Sequence, residues 1–583
     1  MSAANTKDVN GLNIKEFDIV VIGAGASAMS LLYGLLSRFR EAFPPFSIAV
    51  LERGKSPPYA SAMRSPNQWC DASHQQSSSV ALLESQIGNR IIDVPIGKGM
   101  GGSTNVNACL CTPPARDDFT SWPEPWDKEL LSSIHVIQDE MIANGALWAY
   151  TVDGNPYESC MSAQSKICEQ PLRESIFPSL VTHIPLSISK KDDGTFVRKN
   201  YYESLVEPLL KAHPHLADYV TFFCDFEVQR LLFSEDAQKV IGVEGPRKQA
   251  VVCRQEVILC AGAIESPALL LVSGIGLDDA LGQVGICPRA SCAGVGRRLR
   301  DHVLVPRVLL SRWSPPTLSP NGVHALCYAS NGDSRFQFFM NDAAVYSQLV
   351  PHFVASFVRR RIYKPAIMAS TVNFILSGLF LGLRTVLRLL MTYTPAYFIL
   401  RYHIITMNIA LMNPKSTGIV TIRRREPSKK IEPIRRKDVD IHIDAGYLSN
   451  PNDVLALWDG WKTSTHLFDS FLCQCLEIFP GVIFQGIKLM RNRETTDASW
   501  FLRFASHFCL PYFHWCGTCA MKTEDNAEWV VDSSLRVRGV RGIRVCDASV
   551  FPSAISGPTA LTCAGVGHLC ASILLRENDK KNG

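Results

Sequence analysis

The chain has 583 residues, 46% hydrophobic and 19% charged, too apolar and too evenly charged for a disordered protein. Its 59 Lys and Arg against 54 Asp and Glu leave a net charge of +5, which gives nucleic acid no electrostatic footing, and its length predicts two or more domains. A mean hydropathy of +0.06 is high for a soluble enzyme, so apolar residues must concentrate somewhere along the chain.

The first sixteen residues, Met1 to Glu16, are polar and lack an apolar h-region, and no Asn-x-Ser/Thr sequon follows anywhere. Both features predict an intracellular protein, cytoplasmic or membrane-associated, without a secretory signal. The nineteen cysteines are scattered, mostly inside apolar stretches, which predicts buried free thiols. The closer pairs Cys109-x-Cys111 and Cys516-x-x-Cys519 have no partners at zinc spacing, so no metal site is predicted, and a redox role for the second pair is the alternative.

Phe17 to Ile22 is a β-branched run, followed by Gly23-Ala-Gly25-Ala26-Ser27-Ala28 and then the apolar stretch Met29 to Leu36. This predicts strand, tight turn, helix. Gly23 permits the turn, Gly25 lets the backbone approach a pyrophosphate, and Ala28 lets helix pack on strand. The helix N-terminus presents free N–H groups and a positive dipole end to phosphate. A second strand, Ser47 to Leu51, ends at Glu52-Arg53, placing a carboxylate where it can accept from ribose hydroxyls.

Next comes Gly97-Lys-Gly99-Met-Gly101-Gly102-Ser103-Thr-Asn105-Val-Asn107, with four glycines in six positions. Such density is costly in a core element and makes sense where backbone lies against a flat or charged ligand. Glu256 to Ala261, Gly262, and the run through Ser266 and Pro267 to Gly276 predict a buried strand, a turn and a helix. Near the C-terminus stand His514-Trp-Cys-Gly-Thr-Cys519 and, later, Asp547-Ala548-Ser549.

In this order the motifs resemble those of the glucose–methanol–choline (GMC) oxidoreductases, which are FAD enzymes. Three shorter pieces agree: Asp118-Phe-x-x-Trp122, Gly294-Val-Gly296 through Asp301-His302, and Tyr447-Leu-Ser-x-Pro451. The resemblance implies an α/β fold: a discontinuous Rossmann-type FAD-binding domain and an α+β substrate domain built on an antiparallel sheet. Residues 15–125, 220–305 and 505–583 would form the first, and 126–219 and 306–504 the second. It implies that Gly23 to Ala28 hold the pyrophosphate, that Glu52, with Arg53 beside it, faces the adenosine ribose, and that Gly99 to Asn107 lie against the flavin. Val228, expected in a strand from Phe226 to Leu232, would contact adenine through its backbone. Gly262, Asp547, Ala548 and Thr559 complete the cofactor set. No His follows Asn107, so noncovalent FAD is expected.

By the same resemblance His514 is the general base. An imidazole suits this because its pKa lies near neutrality. The family's second His or Asn falls on Pro558, which has no side-chain donor or acceptor; Thr559 beside it is a poor base. Three readings stay open: alcohol oxidation with His514 alone, a desaturation or aromatisation, and a non-redox cyclase or lyase. The partners implied are an apolar small molecule and dioxygen or another electron acceptor.

The hydropathy excess lies between residues 365 and 412. Pro365 to Leu383 carries no charge and is flanked by Arg359-Arg-Arg361 and Arg384; Leu387 to Met412 is apolar but interrupted by Arg388, Arg401 and His403. A single span would separate the two halves of the FAD domain across a membrane. The segment is therefore expected to be buried or to line an apolar pocket, with peripheral contact to one leaflet as the alternative. The basic run from Arg423 to Lys437 predicts a charged hairpin loop.

Overall fold

The structure is a computed structural model. It describes residues 6–7, 13–42, 44–57, 59, 61–69, 78–84, 90–151, 166–168, 179–181, 183–311, 319–342, 403–426, 433–468, 475–479, 499–523 and 528–582, with isolated positions at 379, 382, 385, 386, 389, 395 and 472.

The β-branched runs that read as strands pair into one sheet, in the order Val220–Phe223, Ile48–Leu51, Asn13–Ile22, Gln249–Leu259, Val240–Glu244, Arg230–Phe233. Ile543–Val545 pairs with Gln249–Leu259 on the other part of its length. The first four of these strands and Ile543–Val545 run parallel, and their registers align Leu51 with Ile22, Ile22 with Leu259, and Leu259 with Val545. Four adjacent strands therefore end level, and the residues that follow them (Glu52, Gly23, Cys260 and Cys546) share one edge. In a parallel sheet that edge, outside the carboxyl ends, is where ligands bind.

The helix Ala26–Ser37 is apolar on nearly every side because it is covered on nearly every side. The C-terminal helix Thr559–Asn582 lies on it at a glycine contact: a Cβ at Gly567 would stand 2.0 Å from the Ser27 carbonyl oxygen. A third helix, Trp126–Ala143, packs on the C-terminal one through Leu130 and Ile134 against Gly565. This places Trp126–Ala143 on the nucleotide-binding side of the expected boundary at 126. Of the described helices, Thr559–Lys580 alone is long and apolar enough to cross a membrane, yet it is mostly buried between these partners.

A second sheet, antiparallel but for one pair, runs Cys475–Phe479, Val303–Ser311, Ile404–Leu411, Ser334–Asp342, Val323–Asn331, Ser179–Val181, Lys166–Cys168. Ile404–Leu411 lies between Val303–Ser311 and Ser334–Asp342 with nearly every residue buried. Over its last part this agrees with the buried reading of 365–412, although the element is a strand: the apolarity there belongs to Ile404–Leu411, covered on both faces. Leu379, Val386 and Leu389 are exposed apolar positions; most of 365–402 lies outside the described residues.

A smaller sheet joins Ile419–Arg424 and Val439–Asp444 to Ser78–Glu84 and Arg90–Ile96. The basic run thus does form a hairpin, but it is not wholly a solvated turn. Arg435 donates to Glu244 at 2.6 Å and Arg436 to Glu265 at 2.9 Å.

Candidate functional site

At the shared edge, Gly23 (φ +95°) turns so tightly beside Cys260 that a Cβ would lie 2.5 Å from its carbonyl oxygen. Gly101 then donates to the Ala24 carbonyl at 2.7 Å, and a Cβ on Gly102 would meet Gly25 Cα at 2.8 Å. The two glycine segments are therefore in contact, and only glycine permits it.

Glu52 clasps them. Its carboxylate accepts from Ala24 N at 3.1 Å, Gly54 N at 2.7 Å and Gly99 N at 2.9 Å. A carboxylate offers about four lone-pair sites, so one remains for a ligand hydroxyl. Arg53 points elsewhere: it donates to Glu265 at 2.7 Å, which Arg436 holds from the other side. Burial opposes the ionisation of Glu265, but the two guanidinium groups outweigh it and hold the carboxyl down to about 2.

Side chains of the glycine-rich loop mostly staple the loop itself. Asn105 donates to the carbonyls of Lys98 and Met100 and accepts from Asn200. Asn107 accepts from the buried Arg198 at 2.8 Å, and Ser103 from Gly97 N at 3.2 Å. What the loop presents to a ligand is therefore largely backbone.

Across the edge, Asp547 accepts from Gly262 N, Ser266 Oγ and Ser549 N, while burial raises its pKa. Gly25 and Gly262 open outward: a Cβ on either would meet nothing within 4 Å. Two open glycine turns on neighbouring parallel strands, a helix N-terminus at Ala26 and a carboxylate with a spare acceptor site fit a dinucleotide such as FAD. Val228 is buried nearby, but in the irregular stretch before the strand Arg230–Phe233 rather than in a strand; Phe226 N, two residues earlier, donates to the Glu52 carbonyl at 2.9 Å.

His514 reaches this region because its segment is pinned on both sides. Gly517 N donates to the Ala548 carbonyl and Cys519 N to that of Ser549. Asp301 holds the preceding turn, accepting from the backbone N–H of Tyr512, Phe513 and His514 and from the Tyr447 hydroxyl. The turn puts Phe513 at φ 62°, a left-handed backbone that these four bonds stabilise. Burial pushes the Asp301 carboxyl up to about 7 against those same hydrogen bonds.

The His514 ring is not alone. Its Nδ1 lies 2.8 Å from Nδ1 of His302, and Nε2 of His302 lies 2.8 Å from the Ile555 carbonyl oxygen. Burial pushes His302 down to about 4; burial first and then His302 lower His514 as well, so both rings are neutral near pH 7. The sequence reading sought at Pro558 the family's second His or Asn, which would share the substrate hydroxyl. The ring bonded to His514 is a different one, that of His302, 212 residues away in the chain, brought in where the nucleotide unit crosses into the strand Val303–Ser311. The Asp301-His302 dipeptide directly before that strand was the available signal. Pro558 itself is buried one residue ahead of the C-terminal helix, whose first residue is the half-buried Thr559.

The stretch leading to Pro558 is fixed by the motif around Asp118. Asp118 accepts from Ser556 N and Ser556 Oγ, each at 2.7 Å, and Trp122 Nε1 donates to Ser553 Oγ at 2.9 Å. The carbonyl of Ile555 sits between these anchors. Cys516 and Cys519 are buried thiols whose pKa burial raises, Cys516 to about 12, which leaves no thiolate for redox chemistry. Among the described residues no cluster of His, Cys, Asp and Glu could hold a metal ion.

Comparison with known proteins agrees with this geometry. Residues 212–304 match the N-terminal model of the GMC oxidoreductases and residues 414–567 the C-terminal one. Versicolorin B synthase of Aspergillus parasiticus is 27% identical over 79% of this chain and 72% of its own. An oxygen-dependent choline dehydrogenase of Sinorhizobium medicae is 26% identical over 92% and 91%. The crystal structure of pyridoxine 4-oxidase from Mesorbium loti superposes with a TM-score of 0.68 at 19% identity, covering 95% of this chain and 98% of that one. The chain carries both models in order, over a matching fold, and belongs to the GMC oxidoreductases, a family of FAD-dependent enzymes.

Proposed function

We propose that the chain oxidises the carbinol of a bulky apolar small molecule within a biosynthetic pathway for a secondary metabolite, using noncovalent FAD. When bound, FAD supplies the acceptor for the hydride that leaves the carbinol carbon. Gly23, Gly25, Ala26, Ser27 and Ala28 hold its pyrophosphate, with Gly262, Asp547 and Ala548 opposite. Glu52 takes a ribose hydroxyl on its remaining acceptor site, and the backbone from Gly99 to Asn107 lies against the flavin. Val228 offers backbone to adenine, and Thr559, at the start of the C-terminal helix, completes the cofactor set. Arg53 acts on the site only through Glu265.

His514 takes the hydroxyl proton. The observation that carries this is its neutral, partly exposed ring, engaged at Nδ1 and so with Nε2 left for a substrate. General-base assistance is typically worth about 10²–10⁴ in rate, so His514→Ala should slow flavin reduction by at least about 100-fold. The biosynthetic reading leans on the versicolorin B synthase relative, and the apolar substrate on the exposed Leu379, Val386 and Leu389.

The test is an anaerobic flavin spectrum of the FAD-loaded enzyme with benzyl, cinnamyl and naphthylmethyl alcohols. Bleaching, followed in air by hydrogen peroxide, supports the proposal. Pro558 favours a second reading, because it removes the group that would share the substrate hydroxyl: a desaturation, or a cyclase or lyase reaction without net redox change. Conversion of substrate without bleaching would establish the non-redox form. Acid denaturation should release the flavin; colour remaining with the precipitate would refute noncovalent attachment.

A further inference from the structure

We propose that His302 is a positioning residue that fixes His514 in its Nδ1–H tautomer, through a hydrogen-bond chain that starts at the Ile555 carbonyl. This rests on the reading of His514 as base. A carbonyl oxygen only accepts, so the 2.8 Å contact at His302 Nε2 requires the hydrogen to be on Nε2. In a neutral imidazole the other nitrogen then carries the lone pair, so His302 Nδ1 accepts. Its neighbour at 2.8 Å, His514 Nδ1, must therefore donate. That leaves the lone pair of His514 on Nε2, the nitrogen outside the pair. The Met412 carbonyl also lies beside His302; both carbonyls favour the protonated ring, and burial outweighs them.

The surroundings hold this arrangement. The ring of Tyr512 stacks on His514 at 4.2 Å, with its hydroxyl turned away to Gln337, and meets His302 at 6.1 Å. Asp301 accepts from Tyr447 and three backbone N–H groups, and no described hydrogen bond joins it to either ring. Arg300 donates to the Pro552 carbonyl, and Cys516 is a protonated thiol. No other titratable side chain has a described contact with either ring. With FAD bound, the carbinol O–H bond would break with its proton going to His514 Nε2, the carbinol C–H bond would break with its electron pair leaving as the hydride for which FAD would supply the acceptor, and a C=O bond would form. His514 becomes a cation, and its bond to His302 becomes charge-assisted, which strengthens it as charge develops. The arrangement does for His514 what a carboxylate does in other imidazole bases, with a neutral acceptor in place of a charged one.

The test combines a readout that needs no substrate with one that does. Protein labelled with ¹⁵N-histidine, compared with His514→Ala and His302→Asn to assign the two rings, should show a pyrrole-type Nδ1 and a pyridine-type Nε2 on His514. The reverse tautomer overturns the proposal. His302→Leu removes the acceptor, whereas His302→Asn keeps an oxygen close to the place of Nδ1. With cinnamyl alcohol, Leu should lower kcat by about 10- to 100-fold with KM little changed and alter its pH profile. Asn should keep kcat within about tenfold and retain the wild-type profile. Unchanged kcat in the Leu variant overturns the proposal. If that variant does not retain flavin, the Asn variant decides: a flavin-replete His302→Asn more than about 100-fold slower overturns it. A correct tautomer with full turnover in His514→Ala would instead sink the base reading and leave the pair standing.

Discussion

Burial of His302 makes its titration a stability term. Its folded pKa of about 4 lies below the ordinary 6.5, so the folded state refuses a proton that the unfolded chain accepts. The stability this contributes is present above pH 6.5 and is lost as pH falls toward 4, by about 3 kcal/mol across that window. Asp301 works in the opposite sense, since its raised pKa makes the folded state the tighter proton binder until pH rises through about 7. The effect of His302 is therefore read as a difference: urea midpoints of wild type and His302→Asn should converge as pH drops from 7 to 4. Parallel curves would show that the ring is not held neutral. At this scale the sequence was partly legible. His514 lies in a local motif and was readable from it. Its partner was not, because the pairing joins two segments 212 positions apart and depends on where a strand crosses between sheets. Arg53 and Asn105 were assigned to the cofactor because they adjoin glycines that approach it, whereas their side chains are committed to Glu265 and to the loop backbone.

At the scale of elements, glycines decide how closely helices approach. Gly567 sits where the C-terminal helix touches the turn of Ala26–Ser37, and a Cβ there would meet backbone that cannot move aside. Gly567→Ala should destabilise by about 1–3 kcal/mol and weaken FAD binding, because the helix start that faces phosphate would be displaced. Gly282, within the helix Asp278–Val284, has no atom near its missing Cβ. Gly282→Ala should be neutral or stabilise by about 0.5–1 kcal/mol. Thermal melts of the two variants, run with flavin titrations, check both outcomes; equal effects would refute the distinction. The strand–turn–helix at Phe17 to Leu36 was legible because its period changes from β-branched run to helical pattern at a glycine pair. Ile404–Leu411 was not. A strand buried on both faces has no alternation, and its apolar run reads the same as a lipid-facing or pocket-lining segment.

For the whole molecule, the units are joined by charge as well as by chain. Glu265 on the helix Gly262–Val272 binds Arg53 from the first sheet's edge and Arg436 from the hairpin of the four-stranded sheet. Glu265→Gln leaves two partly buried guanidinium groups uncompensated. It should cost about 3 kcal/mol, read from the urea midpoint, and more than either arginine substitution made singly. An effect below that of an exposed pair such as Lys128–Glu124 would show that solvent screens the triad. On the proposed cofactor set, FAD would join pieces from both ends and the middle of the chain, so its removal should loosen all of them. At 100 times its dissociation constant, added FAD should stabilise stripped protein by about 2.7 kcal/mol, seen as one cooperative rise in Tm. The architecture of two units could be inferred from motif order, but the edges of each could not. Trp126–Ala143 carries an apolar stripe that says it packs, not on which partner.

The hydrogen-bond chain behind His514 ends on a peptide carbonyl, that of Ile555. Every amino acid supplies that atom, so substitution at 555 cannot delete the acceptor, and sequence drift there should leave the tautomer untouched. What the chain must preserve is the path of the backbone, set by Asp118 on Ser556 and by Trp122 on Ser553. An alignment would record 555 as variable and 118 and 122 as constrained, and the position that orients the histidine pair would look like the one that matters least.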